Sequence, residues 1–182
     1  MQWRNDTNRY GVLAISLHWF MLLLIVAVYA CMELNEFFPK GSASRAALKS
    51  WHYMLGLSVL VLALLRLIVN ATAPTPRIVS TQQGLLKLIA KAMKIALYGL
   101  MLGLPVAGWL ILSAAGKPIP FFSLTLPPLI AESKTAADLI KEIHEAGATV
   151  GYFLIGLHAA AALFHHYVLG DSTLKGMLLK RY

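Results

Sequence analysis

The chain alternates long apolar stretches with short polar links. Four stretches contain no Asp, Glu, Lys or Arg, and they lie at 10–32, 50–65, 95–116 and 146–170. The second stays apolar to residue 69 and is interrupted only by Arg66. A membrane helix needs about 20 mostly apolar residues, and only a helix satisfies its own backbone within lipid. The pattern therefore predicts membrane helices at about 10–34, 48–69, 87–115 and 138–169.

Proline and glycine mark the links between these helices. Pro39 and Gly41 lie in the first link, at 35–41, and Pro74 and Pro76 lie in the second, at 70–77. The third link, 117–128, contains four prolines and reads as a loop. We therefore expect an all-α fold, an integral membrane four-helix bundle in a single domain that covers residues 1–182.

Composition agrees with a membrane protein. Hydrophobic residues make up 58% of the chain and charged residues 13%, whereas a soluble domain carries about 25% charged residues. The net charge of +8 does not indicate nucleic acid binding, because the basic residues flank apolar runs. The single cysteine, Cys31, excludes a disulfide framework and a CxxC metal site, and we expect it to be a buried apolar residue.

The distribution of Lys and Arg predicts the orientation in the membrane. Ten basic residues fall on the side of the two chain termini: Arg4, Arg9, Arg66, Arg77, Lys87, Lys91, Lys94, Lys175, Lys180 and Arg181. Six fall on the other side: Lys40, Arg45, Lys49, Lys117, Lys134 and Lys141. We therefore expect a multi-pass membrane protein with both termini in the cytoplasm.

Four of the six histidines fall at matched depths. His18 and His158 lie in the inner half of spans one and four, and His52 and His144 lie near the outer ends of spans two and four. His144 and His158 are fourteen positions apart, which corresponds to about 21 Å along a helix. Fourteen residues are close to four turns, so both side chains project from nearly the same face.

Two histidine pairs at two depths favour two haems, each with two axial imidazoles. A zinc site is the competing metal interpretation, but zinc prefers four ligands at one point. A histidine proton relay is a further alternative, although such a relay usually includes intramembrane Asp or Glu, and the apolar runs contain neither. Gly56, Gly147 and Gly151 fit either room for a porphyrin or close helix packing.

Several sequence blocks resemble the bacterial di-haem cytochrome b561 family, and within it the superoxide oxidase type. The matching blocks, in order along nearly the whole chain, are ISLHW at 15–19, MEL at 32–34, FFP at 37–39, His52, IHE at 143–145, GYFLIGLHAAAALFHHY at 151–167 and DSTL at 171–174. The resemblance implies two haems b. It implies axial ligands His18 and His158 for the inner haem, and His52 and His144 for the outer haem.

The resemblance also implies a reaction, in which superoxide outside the membrane gives electrons to ubiquinone. Positive charge near a docking site raises the arrival rate of a small anion. The outer cations Lys40, Arg45, Lys49, Lys117, Lys134 and Lys141 are candidates for this steering. A solvated face with scattered charges explains them equally well, and the catalytic residues themselves stay unassigned.

Three residues near the inner end of the bundle are candidates for a quinone or haem propionate contact. His165 follows His158 by two turns on the same face, and Lys91 and Lys94 lie at the inner end of span three. The family pattern often has His in that part of span three, so these lysines depart from it. Ordinary interfacial anchoring is the alternative for all three.

Two other functions remain open from sequence. The first is a cytochrome b subunit that relays electrons for a partner dehydrogenase or hydrogenase, and the second is a histidine-based proton or metal transporter. Trp19 and Trp51 fit porphyrin packing or an aromatic belt. Arg66 fits a haem propionate partner or a side chain that reaches back to the interface.

Overall fold

Four long helices account for most of the chain. The computed structural model describes residues 2–74 and 84–178. Helix α1 spans Val12–Asn35, α2 spans Ala43–Thr72, α3 spans Leu85–Ala114 and α4 spans Lys134–Tyr167. Strands β1, Ile119–Phe121, and β2, Leu124–Leu126, lie between α3 and α4, and a 3-10 helix covers Lys175–Met177. The basic residues Arg77, Lys180 and Arg181, used above to predict orientation, lie outside the described residues.

All four helices are long and apolar enough to cross a membrane. Helices α2 and α4 begin several residues before the predicted spans, because the backbone hydrogen bonds continue through interfacial residues that carry charge. Serine side chains fix both starts: Ser42 accepts from the backbone N–H of Arg45, and Ser133 accepts from that of Ala136. Helix α2 ends at Thr72, just before Pro74, as the proline predicts.

The helices pack in chain order, α1 on α2, α2 on α3 and α3 on α4. The main buried cluster joins α1 to α2 through Leu17, Met21, Leu24, Val59, Leu62 and Ala63. Helix α1 meets α4 through long side chains, as when the Tyr29 hydroxyl donates to the Ala148 carbonyl over 2.8 Å. Cys31 is buried and free, as expected.

The link at 117–128 contains a β-hairpin, so the prediction of a loop there was wrong. Ile119 pairs with Leu126 and Phe121 with Leu124 in antiparallel register. The tight turn needs a positive φ at Phe122, 55°. Ile119 is 2% exposed and packs with Leu57 and Leu112, which holds the hairpin against α2 and α3. Two three-residue strands give too short an alternation to detect, and Pro120 is compatible with an edge strand.

The segment after α4 folds back onto the bundle. The indole N–H of Trp19 donates to the Met177 carbonyl over 2.7 Å, which ties this segment to α1. The carboxylate of Asp171 accepts from the backbone N–H of Thr173 over 2.9 Å. We call this end of the bundle, with both chain termini, the terminal side, and the opposite end the hairpin side.

Candidate functional site

The structure brings the four histidines together in two pairs. On the terminal side, His18 of α1 faces His158 of α4, with ring centroids 6.3 Å apart and ring planes at 63°. On the hairpin side, His52 of α2 faces His144 of α4, with centroids 6.2 Å apart and planes at 74°. Helix α4 thus contributes one member of each pair. The pairs are those that matched depth predicts.

The spacing within each pair admits one metal ion between the two rings. A metal–imidazole bond is about 2.0–2.1 Å long. A metal ion bound by one nitrogen of each ring would place the centroids up to about 6.5 Å apart, with about 1.2 Å from each nitrogen to its centroid. The observed 6.3 Å and 6.2 Å allow this arrangement. Edge-to-face contact between two rings also gives about 4.5–7 Å, so the occurrence of two matched pairs, and not the distance alone, points to metal binding.

Few residues are buried on the helix that carries one histidine of each pair. Only Ala137 and Gly151 of α4 are buried, and His158 is exposed while His144 is half-buried. A helix that filled a bundle core would bury about three residues in every seven. The exposed stretch of α4 around His158 leaves room for a flat prosthetic group, and two facing imidazoles are donors that haem iron takes, so the residues fit haem.

Two of the glycines next to the histidines serve helix packing. A Cβ on Gly147 would lie 2.8 Å from Leu104 Cδ2, and one on Gly151 would overlap the Tyr29 hydroxyl. Gly56 has nothing within 4 Å of such a Cβ. Of the two interpretations of these glycines, close packing holds for Gly147 and Gly151. A Cβ on Gly108 of α3, which sequence reasoning did not single out, would lie 3.6 Å from Cε1 of His144.

The outer nitrogens of the ring pairs meet different partners. Nδ1 of His52 lies 3.0 Å from the Val28 carbonyl oxygen, and because a carbonyl only accepts, this nitrogen donates. Nδ1 of His18 lies 3.3 Å from Nη2 of Arg66, and a guanidinium only donates. Hydrogen bonding at this nitrogen orients an imidazole ligand and tunes its basicity. Neither partner was identified from sequence: a backbone carbonyl has no signature, and Arg66 was assigned to the interface or a propionate.

A tetrahedral zinc centre has no counterpart in the described residues. Within 2–74 and 84–178, no three His, Cys, Asp or Glu side chains come close enough to hold a metal ion together. This disfavours the zinc interpretation, since zinc usually takes at least three protein ligands.

The six cations on the hairpin side differ in their surroundings. Arg45 pairs with Glu36 over 2.9 Å, and Lys141 pairs with Glu145 over 3.4 Å. Lys40, Lys49, Lys117 and Lys134 are exposed and have no ion pair among the residues described. Lys117 also lines an open cavity of about 330 Å³, together with Ser50, Tyr53 and Leu112. Tyr53 follows His52 along α2, and the two rings lie 6.2 Å apart, but neither His52 nor His144 lines this cavity.

On the terminal side, His165 contacts an acid that sequence analysis did not assign to it. Nδ1 of His165 lies 2.6 Å from Oδ2 of Asp171, and Asp171 is buried at 6% exposure. Burial raises the pKa of Asp171, but hydrogen bonds from Thr173 and His165 hold it below the ordinary 3.8. Asp171 belongs to the DSTL block at 171–174, which was the available signal.

The remaining predicted residues are less closely associated with the histidine pairs. Lys91 and Lys94 are exposed on α3 and form no ion pair within the part of the chain that the structure describes. The Trp19 ring meets the His18 ring edge-on at 5.5 Å. Trp51 is 49% exposed, as an aromatic at the membrane interface would be.

Comparison with known proteins identifies the family. The family model described as prokaryotic cytochrome b561 matches residues 9–180. The chain belongs to the prokaryotic cytochrome b561 family. It is 40% identical over 174 residues to cytochrome b561 homolog 1 of Escherichia coli (strain K12), which covers 96% of this chain and 99% of the relative.

Two further members of the cytochrome b561 family align along their lengths. The chain is 35% identical over 174 residues to probable superoxide oxidase CybB of Yersinia pestis, covering 96% of this chain and 98% of that protein. It is 28% identical over 183 residues to cytochrome b561 homolog 2 of Escherichia coli (strain K12), covering 99% and 96%.

Membership explains the main features of the fold. A cytochrome b561 is a haem b protein of electron transport, and its four membrane helices place this chain in the inner membrane as a multi-pass protein. The predicted fold class and family are thereby confirmed.

Proposed function

We propose that this cytochrome b561 oxidises superoxide on its hairpin side and delivers the electrons to ubiquinone on its terminal side. The two histidine pairs at two depths, each spaced for one metal ion, carry the proposal. His18 and His158 would hold one haem b, and His52 and His144 a second. Bound haem b supplies a one-electron redox centre at each pair.

The proposed reaction balances across the membrane. Two superoxide anions each lose one electron and leave as dioxygen. One ubiquinone takes up these two electrons and two protons and becomes ubiquinol. The protein has therefore to admit a small anion at one end, and to supply protons and hold a quinone head group at the other.

The hairpin side is suited to a small anion. The cavity lined by Lys117, Ser50 and Tyr53 lies on the hairpin side, where Tyr53 is the next residue after His52 in α2. Four exposed lysines, Lys40, Lys49, Lys117 and Lys134, form no ion pair in the described ranges. Six acids balance the formal charge of this end as a whole, so each lysine gives only a local positive field. Such a field raises the local concentration and the association rate of an anion. Arg45 and Lys141, already neutralised by Glu36 and Glu145, contribute less.

On the terminal side, His165 lies in the last turn of α4 and can carry a proton. His165 is held through Nδ1 by Asp171 at 2.6 Å, which fixes the orientation of the imidazole at this end of α4. A carboxylate that orients a histidine in this way is a recurrent arrangement in acid–base chemistry. We assign His165 to the protonation of the quinone oxygen. Lys91 and Lys94 serve as supporting contacts to a quinone oxygen or a haem propionate.

The orientation of the chain follows from the same proposal. The hairpin side would face the periplasm, and both termini would lie in the cytoplasm. The larger number of Lys and Arg residues on the terminal side supports this direction.

A second candidate function has its own support. Two of the relatives are named only as cytochrome b561 homologues, a description that fits a relay subunit for a partner dehydrogenase or hydrogenase. Such a subunit would be reduced by its partner protein and would not be reduced by superoxide alone.

The ratio of dioxygen to quinol formed by the purified protein tests the proposal against this alternative. Under a steady enzymatic supply of superoxide, with a soluble ubiquinone analogue present, we expect two dioxygen molecules for each quinol formed. The matched control is the His52→Ala variant, which should form quinol no faster than the assay without protein. Quinol formation at the same background rate in the wild type would leave the relay function as the better account.

A further inference from the structure

Arg66 occupies an unusual position within a membrane helix. It lies in the apolar part of α2 and is half-buried. Its guanidinium sits over the Tyr98 ring of α3, 5.8 Å from the ring centroid, and Asn70 donates to the Tyr98 hydroxyl over 2.9 Å. These contacts hold the guanidinium close to the histidine pair and away from the end of the helix.

The positive charge of Arg66 is not matched by an acid. Among the residues that the structure describes, no Asp or Glu forms an ion pair with it. A charged side chain within a membrane span is costly, and where it occurs it usually has a function. Nη2 of the guanidinium lies 3.3 Å from Nδ1 of His18.

The two histidine pairs therefore differ in the field they experience. Nδ1 of His52 donates to the Val28 carbonyl, which raises the basicity of that imidazole and stabilises an oxidised metal centre. Nδ1 of His18 faces a cation in place of an acceptor. A guanidinium is always protonated, and a fixed positive charge favours the reduced, less positive state of a nearby redox centre.

We infer that Arg66 raises the reduction potential of the haem held by His18 and His158 above that of the haem held by His52 and His144. Electrons are then favoured to pass from the hairpin side to the terminal side, toward the quinone. This inference rests on the proposed function, because it takes the two histidine pairs as haem ligands. It assigns Arg66 a role through its charge, because Nδ1 of a His18 that binds iron through Nε2 carries a proton and does not accept from the guanidinium.

Redox titration of the two-haem protein, followed by the optical bands of each haem, tests the role of Arg66. In Arg66→Gln we expect the reduction equilibrium of the terminal-side haem to shift toward the oxidised state by about tenfold, or about 59 mV for one electron. The hairpin-side haem should stay within about twofold of the wild type. Arg66→Lys keeps the charge and should restore most of the shift.

Arg4→Gln is the matched control for a cation at the same end of α2. Arg4 is exposed, and its Nη2 donates to the Thr72 carbonyl over 3.2 Å, away from the histidines. Both haems of this variant should titrate as in the wild type. An equal shift in Arg4→Gln and Arg66→Gln would overturn the inference, because a general surface charge would then explain it.

Single-haem variants test the order of potentials without altering Arg66. The haem that remains in His52→Ala should have a higher potential than the one that remains in His18→Ala, with at least a tenfold difference in the reduction equilibrium. Equal or reversed potentials would overturn the inference while leaving the proposed function in place. A wild-type protein that does not bind two haems would instead contradict the proposed function itself.

Discussion

The imidazoles of His52 on α2 and His144 on α4 face each other across 6.2 Å, and His18 and His158 repeat this relationship at 6.3 Å nearer the chain termini. Each member of a pair comes from a different helix. Both pairs therefore depend on the relative placement of α4 against α1 and α2.

Removing one histidine should remove one haem and leave the other. We expect His52→Ala and His144→Ala to lose the hairpin-side haem, and His18→Ala and His158→Ala to lose the terminal-side haem, because a single imidazole holds the iron more weakly than two. Pyridine haemochrome analysis of the purified variants gives the haem content. His166→Ala, also on α4, is the control and should retain both haems. Two haems in all four pair variants would refute the ligand assignment.

Neutralising Lys117 should slow the reaction with superoxide. Lys117 lines the cavity on the hairpin side, so Lys117→Gln should lower the second-order rate by about twofold to fivefold at low salt. The difference should shrink at 0.15 M salt, where the Debye length is about 8 Å. Stopped-flow reduction measures the rate. Lys141→Gln is the matched control, since Lys141 is already paired with Glu145. If both variants slowed the reaction equally, Lys117 would have no local role.

Removing the Asp171 charge should impair quinone reduction more than superoxide oxidation. Asp171→Asn loses a charge-assisted hydrogen bond to His165, worth about 1.5–3 kcal/mol, and leaves the His165 ring less well oriented. We expect a lower rate of quinol formation with an unchanged rate of haem reduction by superoxide. Asp138→Asn, an exposed acid on the hairpin side, is the control. An equal loss in both half-reactions would place Asp171 outside the quinone end.

The same carboxylate predicts a pH dependence of stability. The folded-state pKa of Asp171 lies below its ordinary value of 3.8, so its stabilising contribution is fully present above pH 3.8 and is lost as pH falls through the lower folded value. Thermal unfolding in detergent should separate wild type from Asp171→Asn at pH 5–7. The two should converge as pH falls below 3.8. A difference in thermal stability between the two proteins that grew as the pH fell would contradict this prediction.

Two glycines of α4 should respond in opposite ways to alanine. A Cβ at Gly151 would overlap the Tyr29 hydroxyl, so Gly151→Ala should destabilise the protein by about 1–3 kcal/mol, as overpacking does. Gly156 has nothing within 4 Å of a built Cβ, and alanine there should be neutral or stabilising by up to about 1 kcal/mol. Thermal unfolding of the holoprotein compares them. Destabilisation by Gly156→Ala alone would contradict the packing described for α4.

The features that repeat along the sequence were the predictable ones. Four apolar runs predict four membrane helices, because no other element satisfies the backbone in lipid. The fourteen-residue spacing of His144 and His158 places both on one face of α4, since α-helical geometry is regular. Depth counted from the helix ends is enough to match each with a histidine on another helix.

Features that depend on tertiary contacts were not predictable in the same way. The hairpin at Ile119 and Leu126 is stabilised by burial against Leu57 and Leu112, and its strands are too short to show a pattern. The contact between Arg66 and His18 joins residues 48 positions apart. The Val28 carbonyl is a backbone group that every residue has, so only the fold shows that it faces His52.

The most direct test of electron transfer from superoxide to quinone is the absorption spectrum of the purified two-haem protein under a steady superoxide flux. The account predicts that the haem bands become reduced in the flux and are reoxidised when a ubiquinone analogue is added. Haem that stays oxidised in the flux, yet is reduced by dithionite, would contradict it.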